Sequence, residues 1–159
     1  MTDPVKDPTP EQTATWHRTF APQAFNHTWE LLDLDTRSSE EDEDMLASTF
    51  AQRFHWYQLG DARSRAIADW QVSRVAVVLG YAELAQRFGE RSLAVCEEHD
   101  LDAFVRGFAH EALARAAAEV DDVDTFTENL ELAKALMAEV EDIEERDVLA
   151  ADLAEMSEE

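Results

Sequence analysis

Arginine, histidine and aromatic residues crowd the centre of this chain. Arg53, His55, Trp56 and Tyr57 fall within five positions, and Arg63, Arg65, Trp70 and Arg74 follow a break at Gly60-Asp61. A guanidinium is planar, permanently charged and carries a fork of donors that matches a carboxylate or phosphate, and it stacks on aromatic rings. The chemistry open to this set is capture of an anion. Trp70 and Arg74, four residues apart, would share one helix face. A tight turn at 60–61 would lay Arg53 to Tyr57 against the start of the next helix. The same residues also have an architectural reading. Arg65 and Arg74 recur as Arg106 and Arg115, and a cation repeated with the fold would tie neighbouring helices through acids such as Asp69 and Glu111, with Trp56 and Trp70 as core fillers.

Other chemistries find less support. The histidines are His17, His27, His55, His99 and His110, and none has a glutamate three residues before it, so the Glu-x-x-His of di-iron bundles is missing. His110-Glu111 lacks the second histidine of a zinc protease helix. Three histidines converging from different helices are the remaining route to a metal; neither metal nor cofactor is expected. Asp121-Asp122-Val123-Asp124 and Asp100-Leu101-Asp102 lack the glycine and distal glutamate of a calcium loop and read as helix caps. Gly80 and Gly89 belong to no phosphate-binding loop. The single cysteine, Cys96, excludes an intrachain disulfide and falls on an inward helical stripe as a buried, inert thiol. No residue set declares a reaction, and a non-enzymatic protein is expected.

Break signals set the elements that must position these residues. They fall about every twenty residues: Ser38-Ser39, Gly60-Asp61, Gly80, Asp100, Asp121-Asp122 and Asp142. Residues 1–20 hold three of the four prolines and few apolar positions, and are expected to form a poorly ordered tail; residues 21–159 form one domain. Pro22 opens a short helix with Phe25, Trp29 and Leu32 on one face. Ser39 and the acids after it start a helix over about 40–58 that turns Met45, Leu46, Thr49, Phe50, Phe54 and Tyr57 inward. Asp61 caps a helix that becomes apolar all round at Val75 to Leu79 and ends at Gly80. The helices after it bury Tyr81, Leu84, Ala85, Phe88, Ser92, Val95 and Cys96; then Phe104, Phe108, Ala112 and Ala116; then Phe126, Leu130, Ala133 and Met137. A last helix from about 143 sets Leu149, Leu153 and Met156 against a heavily acidic face and caps the domain. No segment alternates with period two. The fold class is all-α, with about seven helices.

Sliding the chain on itself by 41 residues aligns Arg65, Ile67 and Ala68 with Arg106, Phe108 and Ala109, and Val72 to Ala76 with Leu113 to Ala117. Such helix pairs cannot bury their apolar faces alone and must stack. The pairs resemble tetratricopeptide-like repeats, which usually run to about 34 residues. Val72-Ser73 fall where that family has its Leu-Gly pair, Ala76 at its mid-helix aromatic, Gly80 at the turn, and Ala85, Gly89 and Ser92 at the small and aromatic positions of its second helix. Leu113, Ala114, Ala117, Asp121, Phe126, Leu130 and Ala133 fill those places in the next pair, with Asp121 replacing the turn glycine, Phe126 the small residue, and no proline after either pair. The likeness covers residues 62–140 well and 22–60 weakly, and extends to a group of short bacterial and archaeal members. It implies an antiparallel helix-hairpin stack and a concave binding face, and no substrate.

Charge bounds the partners. The formal net charge is −23, with 11 acids and 3 bases in residues 1–47, 9 and 8 in 48–118, and 16 and 2 in 119–159. A nucleic acid or an anionic membrane needs clustered cations, so both are disfavoured. Two lysines against eleven arginines and 36 acids resemble the usage of salt-loving organisms. The start of the chain lacks the basic-then-apolar order of a signal peptide and no long apolar run occurs, so a cytoplasmic protein is expected. The leading expectation is a scaffold that binds a protein or peptide segment, or another copy of itself, through His55, Trp56, Arg65, Trp70, Arg74 and His110. The alternative is a binder of a small anionic ligand, or an enzyme, built on the same cluster.

Overall fold

The computed structural model describes residues 6–157, which form seven α-helices and no strand. They are α1 Pro10–Leu32, α2 Ser39–Leu59, α3 Ala62–Val78, α4 Ala82–Glu98, α5 Ala103–Ala118, α6 Val123–Glu139 and α7 Ile143–Ser157. Local chemistry fixes most of the ends. Thr9 and Ser38 build capping boxes with Gln12 and Glu41. Asp61, Asp102 and Asp122 accept the backbone N–H of Ser64, Val105 and Thr125 at the starts of α3, α5 and α6. Four break positions share the left-handed conformation: Gly60 (φ 78°), Gly80 (φ 75°), Asp100 (φ 47°) and Asp121 (φ 56°). Asp121 therefore makes the same turn 41 residues after Gly80, using a residue whose short polar side chain tolerates that region.

One expected boundary is corrected. Residues 10–20, assigned to a poorly ordered tail, are the first three turns of a 23-residue α1. The Thr9 box and Pro10, whose missing N–H costs nothing in a first turn, outweigh the scarcity of apolar residues there. Pro22 lies inside this helix rather than at its start. Residues 1–5 of the expected tail lie outside the described residues.

Successive helices pack antiparallel. Ser73 and Ser92 of α3 and α4 each donate to a carbonyl across the pair, Ala85 and Ala66, at 2.7 and 2.8 Å. Alanines with no exposed surface, Ala66, Ala76 and Ala85, permit that approach. A second relation runs between alternate helices. Trp29 of α1 faces Trp70 of α3, Trp70 faces Glu111 and Phe108 of α5, and Arg115 of α5 donates to the Asp152 carbonyl of α7. Trp29, Trp70, Glu111 and Asp152 are spaced by 41 residues. Contacts thus join α1 to α3, α3 to α5 and α5 to α7, and Trp70, Phe108, Leu130, Leu149, Leu153 and Met156 share one core cluster. The inward face expected for α2 holds at Met45 and Thr49, whereas Phe50 and Phe54 are exposed and Gln52 is fully buried, donating to the Ala68 carbonyl at 3.0 Å. Among the described residues, no helix is long and apolar enough to cross a membrane.

Candidate binding site

An apolar cavity of about 240 Å³ is walled by Phe25 and Trp29 of α1, Ile67 and Trp70 of α3, Phe104, Val105 and Phe108 of α5, and Val148 of α7. Every lining side chain is hydrophobic. The aromatic rings form a continuous row: Phe25 to Trp29 at 6.4 Å, Trp29 to Trp70 at 5.8 Å, Trp70 to Phe108 at 5.1 Å and Phe108 to Phe104 at 5.0 Å. Trp29 and Trp70 are tilted to one another and the other three pairs meet edge to face, and ring pairs at these distances gain stability beyond their buried area. Val148, 55% exposed, marks the rim. Ligand pockets begin near 300 Å³, so this volume suits one or two apolar side chains better than a whole cofactor.

Behind the wall lies a buried ion network. The Trp70 Nε1–H donates to Glu111 at 2.8 Å; Arg115 donates to the same carboxylate, and Arg74 approaches it at 3.6 Å. Glu111 has no exposed surface, and its three partners come from α3 and α5. The Asp152 carboxyl on α7 is pushed up to about 6, first by burial and then by the charge of Glu111. Asp69 makes a second such centre, fully buried, accepting from Arg53 at 2.5 Å and from the Tyr57 hydroxyl. Burial raises the Asp69 carboxyl above its ordinary value and, with the Asp69 contact, pushes Tyr57 up to about 12.

The six sequence-derived candidates do not share one site. Trp70 lines the cavity, and Arg74 sits one turn on with its guanidinium turned to Glu111 and Glu155. His55 and Trp56 belong to α2, which contributes nothing to the cavity; the His55 Nδ1 meets the His17 Nδ1 at 2.8 Å. Arg65 reaches His99 at 3.4 Å and lies over the Tyr57 ring, and His110 contacts Asn129 on the α6 side at 2.9 Å. Architectural ties through Asp69 and Glu111 account for Arg53, Arg74 and Arg115. Phe25, Trp29, Ile67, Phe104, Phe108 and Val148 are not marked by residue type, because apolar side chains carry no chemistry by themselves. The 41-residue spacing of Trp29 and Trp70 was the available signal.

Cys96 has no exposed surface, and burial pushes its thiol up to about 12, which leaves it unreactive. Among the described residues no three metal-ligating side chains lie together. A larger cavity of about 610 Å³, between the ends of α5 and α7 and the start of α6, mixes Arg115 and Lys134 with Glu119, Asp121 and Asp122 and selects no ligand charge. No protein-family model matches the chain, and no curated protein or solved structure is significantly similar to it.

Proposed function

We propose that this protein is a non-enzymatic helical-repeat module of the tetratricopeptide-like kind, binding a segment of another protein on the face made by α1, α3, α5 and α7. The observation that carries the reading is the wholly apolar cavity on that face, walled by all four helices. An apolar side chain of the partner would enter between Trp29, Trp70, Phe104 and Phe108. The lining rings already pack on one another, and a single aromatic or aliphatic anchor buried among them can act as a hot spot. Register supports the repeat reading: contacts at an offset of 41 residues join α1 to α3 and α3 to α5.

The test is selection of a random peptide library on the immobilised protein, with Val148→Asp as the counter-target. Val148 is exposed at the rim, so the variant should keep its melting midpoint while placing a charge at the cavity mouth. Enriched peptides should share an apolar anchor and bind the variant at least tenfold more weakly. Peptides that bind both alike would overturn the reading. Self-association through the same face would appear as a concentration-dependent size that Val148→Asp abolishes.

A second reading, a small anionic ligand, rests on one observation. Among the described residues Arg65 and Arg106 make no ion pair with an acid, and the buried Nε of each lacks a hydrogen-bond partner. A rise in melting midpoint with inorganic phosphate, lost in Arg65→Leu, would favour it over the scaffold.

A further inference from the structure

At the far end of the α1/α2 pair, away from the apolar cavity, two imidazoles meet with no carboxylate of the described residues in contact. His17 of α1 and His55 of α2 point their Nδ1 atoms at one another across 2.8 Å, with ring centroids 5.1 Å apart. Phe54 and Phe20 pack around them: Phe54 lies 5.9 Å from His17 and 5.4 Å from His55, and Phe20 lies 5.7 Å from His55. Both histidines are partly exposed, so an ion has access from water. The other candidate, His27, differs in kind. Its Nε2 goes to Asp44 at 2.7 Å and its Nδ1 to Glu30 at 3.4 Å, on opposite edges of the ring, and one ion cannot reach both carboxylates.

We infer that His17 and His55 form a two-imidazole site for a divalent transition ion, with Cu(II) preferred. Neutral imidazole nitrogen is a ligand that Cu, Ni and Zn favour, and Cu(II) heads the affinity order. Two nitrogens about 2.0 Å from one ion and at right angles to each other lie about 2.8 Å apart, the separation found here, whereas tetrahedral zinc spreads its ligands to about 3.3 Å. Without metal the pair is joined by one hydrogen bond, in which one ring carries its proton on Nδ1 and the other accepts. Binding requires the donor ring to carry that proton on Nε2 instead. Both Nδ1 lone pairs are then free to be shared with the ion, each ring turning toward it, and no net proton is released. Water completes the coordination. The −23 charge concentrates cations at the surface without selecting among them.

The test uses untagged protein in excess magnesium, which occupies the carboxylates. Cu(II) is added, and binding is followed by isothermal titration, by paramagnetic resonance for nitrogen hyperfine coupling, and by thermal melting. Expected are one ion per chain, a two-nitrogen signature and a raised melting midpoint, because the ion bridges two helices only in the folded state. His17→Gln and His55→Gln should each lower the affinity at least tenfold and abolish the midpoint shift, while His27→Gln leaves all three readouts unchanged. Circular dichroism confirms that each variant is folded. Absence of binding, or affinity and hyperfine coupling that persist in both variants, would overturn the assignment.

Discussion

Trp70 acts on two sides at once. Its ring is a wall of the apolar cavity, and its Nε1–H satisfies the buried Glu111 carboxylate. Trp70→Ala should cost about 3–5 kcal/mol, the range for large buried aromatics. Trp70→Phe keeps most of the wall but leaves Glu111 with one donor fewer and should cost about 1–3 kcal/mol. Urea unfolding of the two variants separates packing from hydrogen bonding; a loss below about 1 kcal/mol for Trp70→Ala would place the ring outside the core. Asp152 gives a pH-dependent prediction. Its folded value of about 6 lies above the unfolded value of about 3.9, so between them the folded state holds a proton that the unfolded chain has lost. Stability from this group is full below about pH 4 and falls as pH rises to about 6. Allowing for partial exposure, the charged form costs about 1–2 kcal/mol above that window. Asp152→Asn should be close to neutral at pH 4 and stabilising at pH 7.5. An equal effect at both pH values in urea unfolding would show that Asp152 is not perturbed in this way.

At the scale of elements, α7 is seated by a close approach to α5. A Cβ added to Gly107 would lie 2.6 Å from the Cδ2 of Leu149, a side chain with no exposed surface and little room to move. Gly107→Ala gains about 1 kcal/mol of helix propensity and loses more to overpacking, for a net destabilisation of about 1–2 kcal/mol. A raised urea midpoint would mean that α7 moves freely on α5. Much of this level was legible in the sequence. Gly60, Gly80, Asp100 and Asp121 mark turns because left-handed backbone selects a few residue types, and Asp61, Asp102 and Asp122 mark starts because an unpaired backbone N–H selects a side-chain oxygen. The start of α1 was missed because Pro10, read as a breaker, is at home in a first turn. Phe50 and Phe54 were misplaced because helical spacing shows which residues share a face and not which neighbour covers it. The cavity was invisible for a related reason: its walls come from four separate helices, and only the stacking register brings Phe25, Ile67, Phe104 and Val148 together.

Across the whole molecule, 36 acids face 13 bases; the buried carboxylates Asp69 and Glu111 are paired with arginines, the other described ion pairs lie on exposed acids, and most acids remain in solvent. Self-repulsion of that size opposes compactness and is screened by salt. The melting midpoint should therefore rise from low to molar KCl, and a midpoint that stays level would remove the case for a salt-adapted surface. Binding through an apolar cavity should be insensitive to the same change, because burying hydrocarbon needs no counterion release. The measurement that bears most directly on the proposed binding face is a methyl resonance titration with a library-selected peptide. Shifts are expected to concentrate at Ile67, Val105 and Val148, with Leu46 and Leu130, on other cavities, left in place. Shifts confined to Leu46 or Leu130, or absent at saturation from the three cavity methyls, would contradict a binding face on α1, α3, α5 and α7.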